Sequence, residues 1–396
     1  MVSTVKVLTL NCWALPFPNA SQHKEERVKA IGHELSKGEY DLVILQEVWK
    51  VSDYDELCKT VLKSFPYSHY FHSGVIGSGV CVFSKHSILE TLQHRFSLNG
   101  YAHKLHHFDW YGSKMVGLCR VLFDKKIKIN VYATHLHAFY HHPKDEYKAH
   151  RLVQAFEMSQ FIKHTSETCD IVIAAGDLNT RPEELGYSVL TSNGNLHDAW
   201  LTQKVKPAAD DIGATSDRPD NPFRGQSLDK EFPQGYRLDY ILYRANAGYN
   251  IDCDKCYLTM GKIPEKNFNY SDHEGVAAVF RINKNLTAMG NPRNMGDIEK
   301  NIIDSLPIVE DGINSVKASR VFYFSLLVLC LAALTYLATV QASSIFYVFV
   351  NILYIVVFCV VIFAAWNAVV LVTVEHNNLV AARKDMNSLL RANPVN

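Results

Sequence analysis

The segment Ser271-Asp272-His273-Glu274-Gly275 places a carboxylate and an imidazole side by side, directly before an apolar run. Histidine exchanges a proton readily near pH 7, and a neighbouring carboxylate can hold its tautomer or help to bind a cation. An Asp-His pair beside a strand is nevertheless more often part of a solvated loop. The segment therefore indicates a proton-transfer site only if the rest of the chain supplies partners for it.

Apolar, β-rich runs alternate with helical patterns along the first 283 residues, which predicts an α/β fold. A helix is predicted with Ser21 as its N-cap and Gly38 at its end, and another at 146–163. The long segment 204–233 is rich in Asp, Pro and Gly without a period, so we expect an irregular surface excursion there. Strands are predicted at 5–10, 41–46, 79–84, 115–123, 128–134, 171–175, 236–243 and 275–282.

Polar residues cluster where these predicted strands end. Taken alone, each of these residues could simply belong to a turn, because Asn and Asp are common in turns. Together they supply what metal-assisted hydrolysis of a phosphate ester needs: hard oxygen ligands for Mg²⁺, a base for water, and donors to the developing phosphorane charge. The positions are Asn11, Glu47, His135, Asp177, Asn179, Asp239, Asp272 and His273.

The charge and cysteine content narrow the class of protein. Lys plus Arg and Asp plus Glu both number 40, so there is no net positive field of the kind a general nucleic-acid binder uses. The nine cysteines are scattered, which is typical of free thiols in a reducing compartment. Cys253 and Cys256 form a C-x-x-C without a second pair at zinc-ligand spacing, which argues against zinc. The N-terminus reads as a strand, not as a signal peptide.

Two long uncharged runs at 321–340 and 345–374 each exceed the ~20 residues that a membrane-spanning helix needs. The connection at 341–344 is short, so the runs predict a helical hairpin with both ends on one side of a membrane. Lys317 and Arg320 precede the hairpin, and Arg383 and Lys384 follow it. Because positively charged residues that flank membrane spans are enriched on the cytosolic side, the large N-terminal domain is expected to face the cytosol. The sequons at Asn19, Asn269 and Asn285 should then carry no glycan.

The chain therefore divides into four predicted regions. A catalytic domain occupies 1–283, and a polar juxtamembrane linker at 284–320 contains a short helix at about 297–306. Two transmembrane helices follow within 321–374, and 375–396 forms a cytosolic tail.

Six motifs resemble the exonuclease/endonuclease/phosphatase superfamily in content and order. The resemblance covers roughly residues 3 to 283. It implies a four-layer, DNase I-like α/β sandwich with the active site at the strand tips. The motifs are Leu10-Asn11-Cys12-Trp13, Leu45-Gln46-Glu47-Val48, Ala133-Thr134-His135-Leu136-His137, Gly176-Asp177-Leu178-Asn179, Arg237-Leu238-Asp239-Tyr240 and Ser271-Asp272-His273.

Within that superfamily the chain is most similar to the Mg²⁺-dependent neutral sphingomyelinases with two membrane spans, through Ala149-His150-Arg151, Leu196-His197-Asp198-Ala199 and the terminal hairpin. The resemblance implies phospholipase C-type hydrolysis of sphingomyelin to ceramide and phosphocholine, with Mg²⁺ as cofactor. It also implies an integral membrane protein, of the endoplasmic reticulum in this subtype. Oligomeric state is left open.

The resemblance also implies roles for individual residues. Glu47 would bind Mg²⁺ with Asn11 close by, and Asp272 would neighbour the metal and its waters. His273 would be the general base, oriented by Asp239. Asp177 would orient the attacking water, while Asn179 and His135 would donate to the phosphoryl oxygens. Lys114, in a loop that resembles the family's Asp and Lys loop, could pair with Asp109, reach a lipid phosphate or simply be solvated.

Other substrates and a non-catalytic role have to be weighed. Nucleases, deadenylases and inositol polyphosphate 5-phosphatases share the catalytic motifs, which give reaction type and not substrate. A nuclease should carry a basic face and has little need of a membrane hairpin, whereas tethering raises the effective concentration of a lipid phosphodiesterase at its substrate. A lyso-choline phospholipid remains the alternative substrate. A membrane scaffold would be expected to have degenerate catalytic motifs.

Overall fold

The computed structural model describes residues 2–17, 20–140, 145–225, 232–290, 292–340 and 344–392. Two compact units divide between Asn301 and Ile302. The sequon at Asn19 and residues 341–343 of the predicted connection lie outside the described residues.

Twelve strands lie in the described part of the first unit. Eight of them agree with the predicted runs to within a few residues, and the other four, Tyr67–Tyr70, Ile88–Arg95, His197–Asp198 and Tyr249–Thr259, were not predicted. The strands are β1 Val2–Ala14, β2 Leu42–Val48, β3 Tyr67–Tyr70, β4 Cys81–Ser84, β5 Ile88–Arg95, β6 Met115–Phe123, β7 Ile127–His135, β8 Ile171–Asp177, β9 His197–Asp198, β10 Asp239–Ala245, β11 Tyr249–Thr259 and β12 Gly275–Lys284.

The described helices range from single turns to 45 residues. A 3₁₀ turn at Leu105–His107 and a π-helical segment at Asn367–Leu371 complete the set. The α-helices are α1 Lys24–Ser36, α2 Val51–Val61, α3 Asp109–Gly112, α4 Lys148–Thr165, α5 Leu185–Gly194, α6 Ala199–Thr202, α7 Met295–Thr339, α8 Ser344–Trp366 and α9 Val372–Ala392.

The strands form two six-stranded mixed sheets, in the orders β11-β12-β1-β2-β4-β3 and β5-β6-β7-β8-β10-β9. We call them the first and the second sheet. Each is built around one parallel pair, β1 with β2 and β7 with β8. The strands β12 and β10 are added antiparallel to β1 and β8 respectively.

Apolar side chains bury both faces of each sheet. Val5 and Val7 of β1 pack into the core between the sheets, which also contains Ile173 and Ile241 of the second sheet. Leu8, on the other face of β1, belongs to a second core that α1 and α2 cover. A third core lies between the second sheet and the helices α4 and α5. This arrangement gives four layers, helix, sheet, sheet and helix, as the sequence predicted.

This topology collects the polar strand ends at one edge of the sandwich. The parallel strands β1, β2, β7 and β8 all end there, and the antiparallel strands β10 and β12 begin there. Residues at a strand's end no longer have to fill the core, so they can be polar. Because all of these strand ends lie at the same edge, side chains that are distant in sequence can meet there.

Three local predictions differ from the structure. Helix α1 begins at Lys24 with His23, in the left-handed conformation, before it, so Ser21 is not its N-cap. The segment 204–233 is irregular where it is described, but Ala214 and Thr215 are buried, so it is not wholly a surface excursion. The predicted short helix at 297–306 is part of α7, which continues through Pro307 to Thr339.

The second unit begins at Ile302, within α7, and contains the rest of that helix together with the helices after it. The helix Met295–Thr339 and the helical stretch Phe346–Ala392 are both long and apolar enough to cross a membrane. The most apolar part of each is largely exposed: Phe322, Leu329 and Phe349 are among the exposed side chains. A core helix of a soluble protein would bury such residues. These two helices could therefore span a membrane.

Candidate active site

The first sheet contributes an amide and a carboxylate from its parallel pair. Asn11 near the end of β1 donates from Nδ2 to Oε1 of Glu47 at 3.1 Å. The backbone of Glu47 has φ +57°, in the left-handed region, which turns this side chain at the end of β2. Gly79 lies against it, and a Cβ there would be 3.2 Å from Cα of Glu47. Gly79 itself has φ +71°, so the tight packing beside Glu47 favours glycine at this position.

The second sheet contributes Asp177 and the groups around it. Asn11 also donates from Nδ2 to Oδ2 of Asp177 at 3.0 Å, so one amide joins the two sheets. Nε2 of His135 lies 3.5 Å from the same oxygen. The backbone N–H of Asn179 donates to Oδ1 of Asp177 at 2.8 Å, and the Asn179 side-chain amide donates to the carbonyl of Leu136. Asp177 is thereby held at the centre of the edge.

His273 and Asp239 complete the site. Nδ1 of His273 lies 2.7 Å from Oδ2 of Asp239, so the hydrogen bond expected between them is present. Asp239 is the first residue of β10 and pairs in register with Asp177. Asp272, adjacent in sequence to His273, accepts instead from the hydroxyl of Ser271.

The crowding of acidic groups shapes the electrostatics. Burial, with the nearby charge of Asp239, raises the pKa of Asp177 to about 7. Burial likewise raises the pKa of Asp272 to about 6, and the charge of Glu47 adds to that effect. Burial alone would lower the pKa of His273, but Asp239 and the other carboxylates raise it well above its ordinary value. Burial lowers the pKa of His135 well below its ordinary value, which keeps that ring neutral.

The donors at this edge fit a metal ion. Asp177, Asp239 and His273 offer ligand atoms within 4.8 Å of one another, and all three are buried. Oε2 of Glu47 and Oδ1 of Asp239 are buried and find no hydrogen-bond partner among the described residues. Buried carboxylate oxygens without partners are costly unless a cation meets them. The site is therefore suited to a divalent cation, for which the two unpartnered carboxylate oxygens are candidate ligands.

Lys114 lies next to this edge but is paired. Its Nζ is 3.1 Å from Oδ1 of Asp109, and both side chains are 3% exposed. The ammonium also lies over the ring of Trp49. Asp109 further accepts from the hydroxyl of Tyr140 and lies near His137. Of the three readings of Lys114, the structure contains the pair with Asp109 and not the solvated lysine.

Two further residues that support the site were not predicted from the sequence. Arg27 is fully buried and donates to the carbonyls of Cys12, Trp13 and Tyr270, tying the end of β1 to the loop before His273. Thr215 accepts at Oγ1 from the backbone N–H groups of Leu238 and Asp239. The signal for Arg27 was a charged residue four positions before Ile31, on the buried face of α1. Thr215 lies in a segment without periodicity and carries no such signal.

Comparison with known proteins identifies this architecture. The Endonuclease/Exonuclease/phosphatase family matches residues 8–273, the part of the chain that carries all of the site residues described above. The chain belongs to this family and, within it, to the neutral sphingomyelinases.

The similarity to individual relatives extends beyond the site. A Caenorhabditis elegans protein provisionally named a neutral sphingomyelinase is 36% identical over 98% of this chain and 91% of its own length. Human sphingomyelin phosphodiesterase 2 is 42% identical over 69% of this chain and 64% of its own length. The C-terminal helices are therefore included in the first alignment, while the second covers a part that matches the catalytic fold in extent.

A solved structure shows the same fold at lower identity. Beta toxin from Staphylococcus aureus, as a double mutant with bound magnesium ions, superposes with a TM-score of 0.50. It is 20% identical and covers 70% of this chain and 99% of its own chain. At this identity the likeness establishes the shared fold.

Proposed function

We propose that the protein hydrolyses sphingomyelin to ceramide and phosphocholine in a Mg²⁺-dependent, phospholipase C-type reaction at a membrane surface and at neutral pH. One observation supports the reaction type: a side-chain nitrogen of His273 and carboxylate oxygens of Asp239 and Asp177 lie within 4.8 Å of one another. The hydrogen-bonded pair of Asn11 and Glu47 lies beside them. The substrate rests on the relatives, which are named as sphingomyelinases over most of this chain.

His273 is the general base in this proposal, and a cation held by Glu47 would offset the carboxylate charge that otherwise favours the protonated ring. With Nδ1 bonded to Asp239, its Nε2 is the nitrogen left to remove a proton from water, and the carboxylate stabilises the imidazolium that forms. The activated water attacks phosphorus in line with the departing ceramide oxygen. Asp239 acts through the ring, because its own bond fixes the tautomer.

Asp177, Asn179 and His135 surround the phosphoryl group. Asp177 orients the attacking water, since its position is fixed by Asn11 and by the backbone of Asn179. The second N–H of the Asn179 amide and a ring N–H of the neutral His135 can donate to phosphoryl oxygens as charge develops on them. Lys114 is bound to Asp109, so it can contact the substrate phosphate only if that ion pair breaks.

Glu47 would hold the magnesium ion through its unpartnered oxygen, with Asn11 and Asp272 beside it. When bound, the ion supplies charge neutralisation for the phosphate and the departing alkoxide. The choice of magnesium is supported by the all-oxygen donors at Glu47 and by the magnesium ions in the structure of the same fold. Asn11 keeps the carboxylates of Glu47 and Asp177 apart by donating to both.

Exposed apolar side chains on the loops at the site edge support a lipid substrate. Phe17 follows β1, and its ring stacks on Phe108 at 4.8 Å. The backbone N–H of Val75 bonds to the carbonyl of Tyr111, so the loop before β4 and the loop before β6 lie together. Exposed apolar groups beside a polar site suit an interface with lipid. The exposed residues on these loops are Phe17, Val75, Leu105, Trp110 and Phe139.

The C-terminal helices would anchor this site to its substrate. We place the catalytic domain at 1–283, a linker at 284–320, two membrane spans within 321–374 and a tail at 375–396. The catalytic domain would face the cytosol, in the endoplasmic reticulum membrane. Glycosidase treatment of the protein from cells should leave its gel mobility unchanged, and a shift would show that a sequon reaches the lumen.

The reaction is tested with the purified full-length chain in mixed micelles that contain sphingomyelin and Mg²⁺. Phosphocholine should be released, and chelation of the metal should stop the release. The variants His273→Ala and Glu47→Gln should each lose activity by at least about a hundredfold. Full activity of either variant would refute the assignment of the site, whereas absence of phosphocholine from the wild type would refute the substrate.

A further inference from the structure

A second polar pocket lies at the end of the second sheet opposite the candidate active site. Strand β10 begins at Asp239 in that site and carries Arg244 near its other end, paired in register with Val172 at the start of β8. Arg244 lies five residue steps along the strand from Asp239, or about 16 Å. The pocket beside Arg244 has a volume of about 440 Å³, within the range of ligand sites, and Lys163 and Arg293 also line it.

Arg244 is a buried charge without an acidic partner. Its side chain is 8% exposed, and the guanidinium donates to Oγ of Ser166 at 2.5 Å and to the side-chain oxygen of Asn246. Its Nε has no hydrogen-bond partner, and no carboxylate lies within ion-pair distance of the group, in the part of the chain that the structure describes. A buried cation usually requires a counter-charge, because desolvation of the charge is costly.

The surroundings add positive charge instead of cancelling it. Lys163 and Arg293 line the same pocket, and neither has an ion-pair partner among the described residues. Partial burial lowers the pKa of Lys163, and the charge of Arg293 lowers it further. Helix α4 ends at Thr165, and its C-terminus supplies roughly half a negative charge. Glu167 is the one carboxylate among the lining residues, so three cations face about one and a half negative charges.

We propose that this pocket binds an anion of the phosphate class, either inorganic phosphate or the phosphate of an anionic lipid headgroup. Guanidinium groups match the oxygens of a phosphate through paired N–H donors, and two arginines and a lysine suit a doubly charged anion. The site is separate from the hydrolytic centre. It uses none of the residues assigned to catalysis, so it stands whether or not sphingomyelin is the substrate.

Protection of Lys163 from acylation tests the proposal on the full-length chain. The purified protein is treated with an N-hydroxysuccinimide ester, and labelling of each lysine is followed by mass spectrometry. In the first arm the protein in detergent micelles receives inorganic phosphate, and potassium chloride at matched ionic strength is the reference. In the second arm the protein is in nanodiscs that contain phosphatidate, and phosphatidylcholine nanodiscs are the reference. Lys59, which is exposed and unpaired among the described residues, reports non-specific effects.

Saturable slowing of Lys163 labelling, with Lys59 unchanged, is the expected result. Protection by free phosphate alone would identify a soluble ligand, and protection only in phosphatidate nanodiscs would identify a lipid headgroup. If neither arm protects Lys163 more than Lys59, the site does not exist as proposed.

Arg293→Ala supplies the second measurement. Arg293 is exposed, so the substitution should leave folding intact while removing one of the three cations. The concentration of the protecting anion at half-saturation should rise by about tenfold, and the matched surface variant Lys63→Ala should leave it unchanged. An unaltered half-saturation in Arg293→Ala would contradict the proposal, because a phosphate in this pocket must lose a charged donor.

Discussion

Nδ1 of His273 and Oδ2 of Asp239 lie 2.7 Å apart, although His273 precedes a strand of the first sheet and Asp239 begins a strand of the second. The proposed base and its orienting carboxylate therefore come from opposite halves of the sandwich. Their hydrogen bond depends on how the two sheets pack, which the core of Val5, Ile173 and Ile241 determines.

Asp239→Asn should preserve this packing and still disable the base. An amide can donate to Nδ1, which favours the wrong tautomer of His273, so kcat should fall by about a thousandfold or more with little change in KM. Steady-state phosphocholine release in micelles measures both constants. The control is Asp252→Asn, which removes a carboxylate from an exposed ion pair with Lys204. If Asp239→Asn kept more than a tenth of the wild-type kcat, Asp239 would not be the residue that orients His273.

Asn11→Ala should weaken the use of the metal. The Asn11 amide is the donor shared by Glu47 and Asp177, and its loss leaves two carboxylates without the group that spaces them. We expect the Mg²⁺ concentration for half-maximal activity to rise by about tenfold or more. Titration of activity with Mg²⁺ measures this change. Asn250→Ala, at an exposed position of β11, is the control, and equal metal dependence of the two variants would contradict the assignment.

The buried Lys114–Asp109 pair should be costly to break from one side. Lys114→Met leaves a carboxylate buried without its cation, so the free energy of unfolding should fall by about 3 kcal/mol. The double variant Lys114→Met/Asp109→Asn removes both charges and should recover part of that loss. Chemical denaturation of the detergent-solubilised chain measures the cycle. Simple additivity of the two substitutions would show that the charges do not interact.

Asp109 should also make stability depend on acid. Burial alone would raise its pKa, but His137, Lys114 and the hydroxyl of Tyr140 together lower the pKa below its ordinary 3.8. A carboxylate with a lowered folded-state pKa contributes stability above pH 3.8 that is lost as the pH falls further. The difference in melting temperature between wild type and Asp109→Asn should therefore narrow below that pH. A constant difference would mean that Asp109 does not titrate in this window.

Much of the fold follows from local pattern. Strand β1 could be predicted because its apolar residues face two cores, and Gly38 ends α1 with φ +70° as its position suggested. Helix α7 could not be predicted at its full length, because Pro307 usually ends a helix and here stands inside one. A run without period, such as the one around Thr215, gives no indication of burial, since its contacts depend on elements far away in sequence.

The site shows the same division. Asn11, Glu47, Asp177, Asp239 and His273 could be selected as candidate site residues from the sequence, because the motifs that contain them occur in a characteristic order and strand ends appear as polar residues next to apolar runs. Their hydrogen bonds were not visible. Asn11 joins residues 36 and 166 positions away, and only the topology of the two sheets brings these together.

The central claim is that this site cleaves sphingomyelin. The most direct test compares initial rates of phosphocholine release from sphingomyelin and from a lyso-choline phospholipid, each presented to the full-length protein in the same bilayers with Mg²⁺. We predict faster release from sphingomyelin, and loss of both activities in His273→Ala. Faster hydrolysis of the lyso-lipid, with no measurable release from sphingomyelin, would contradict the claim.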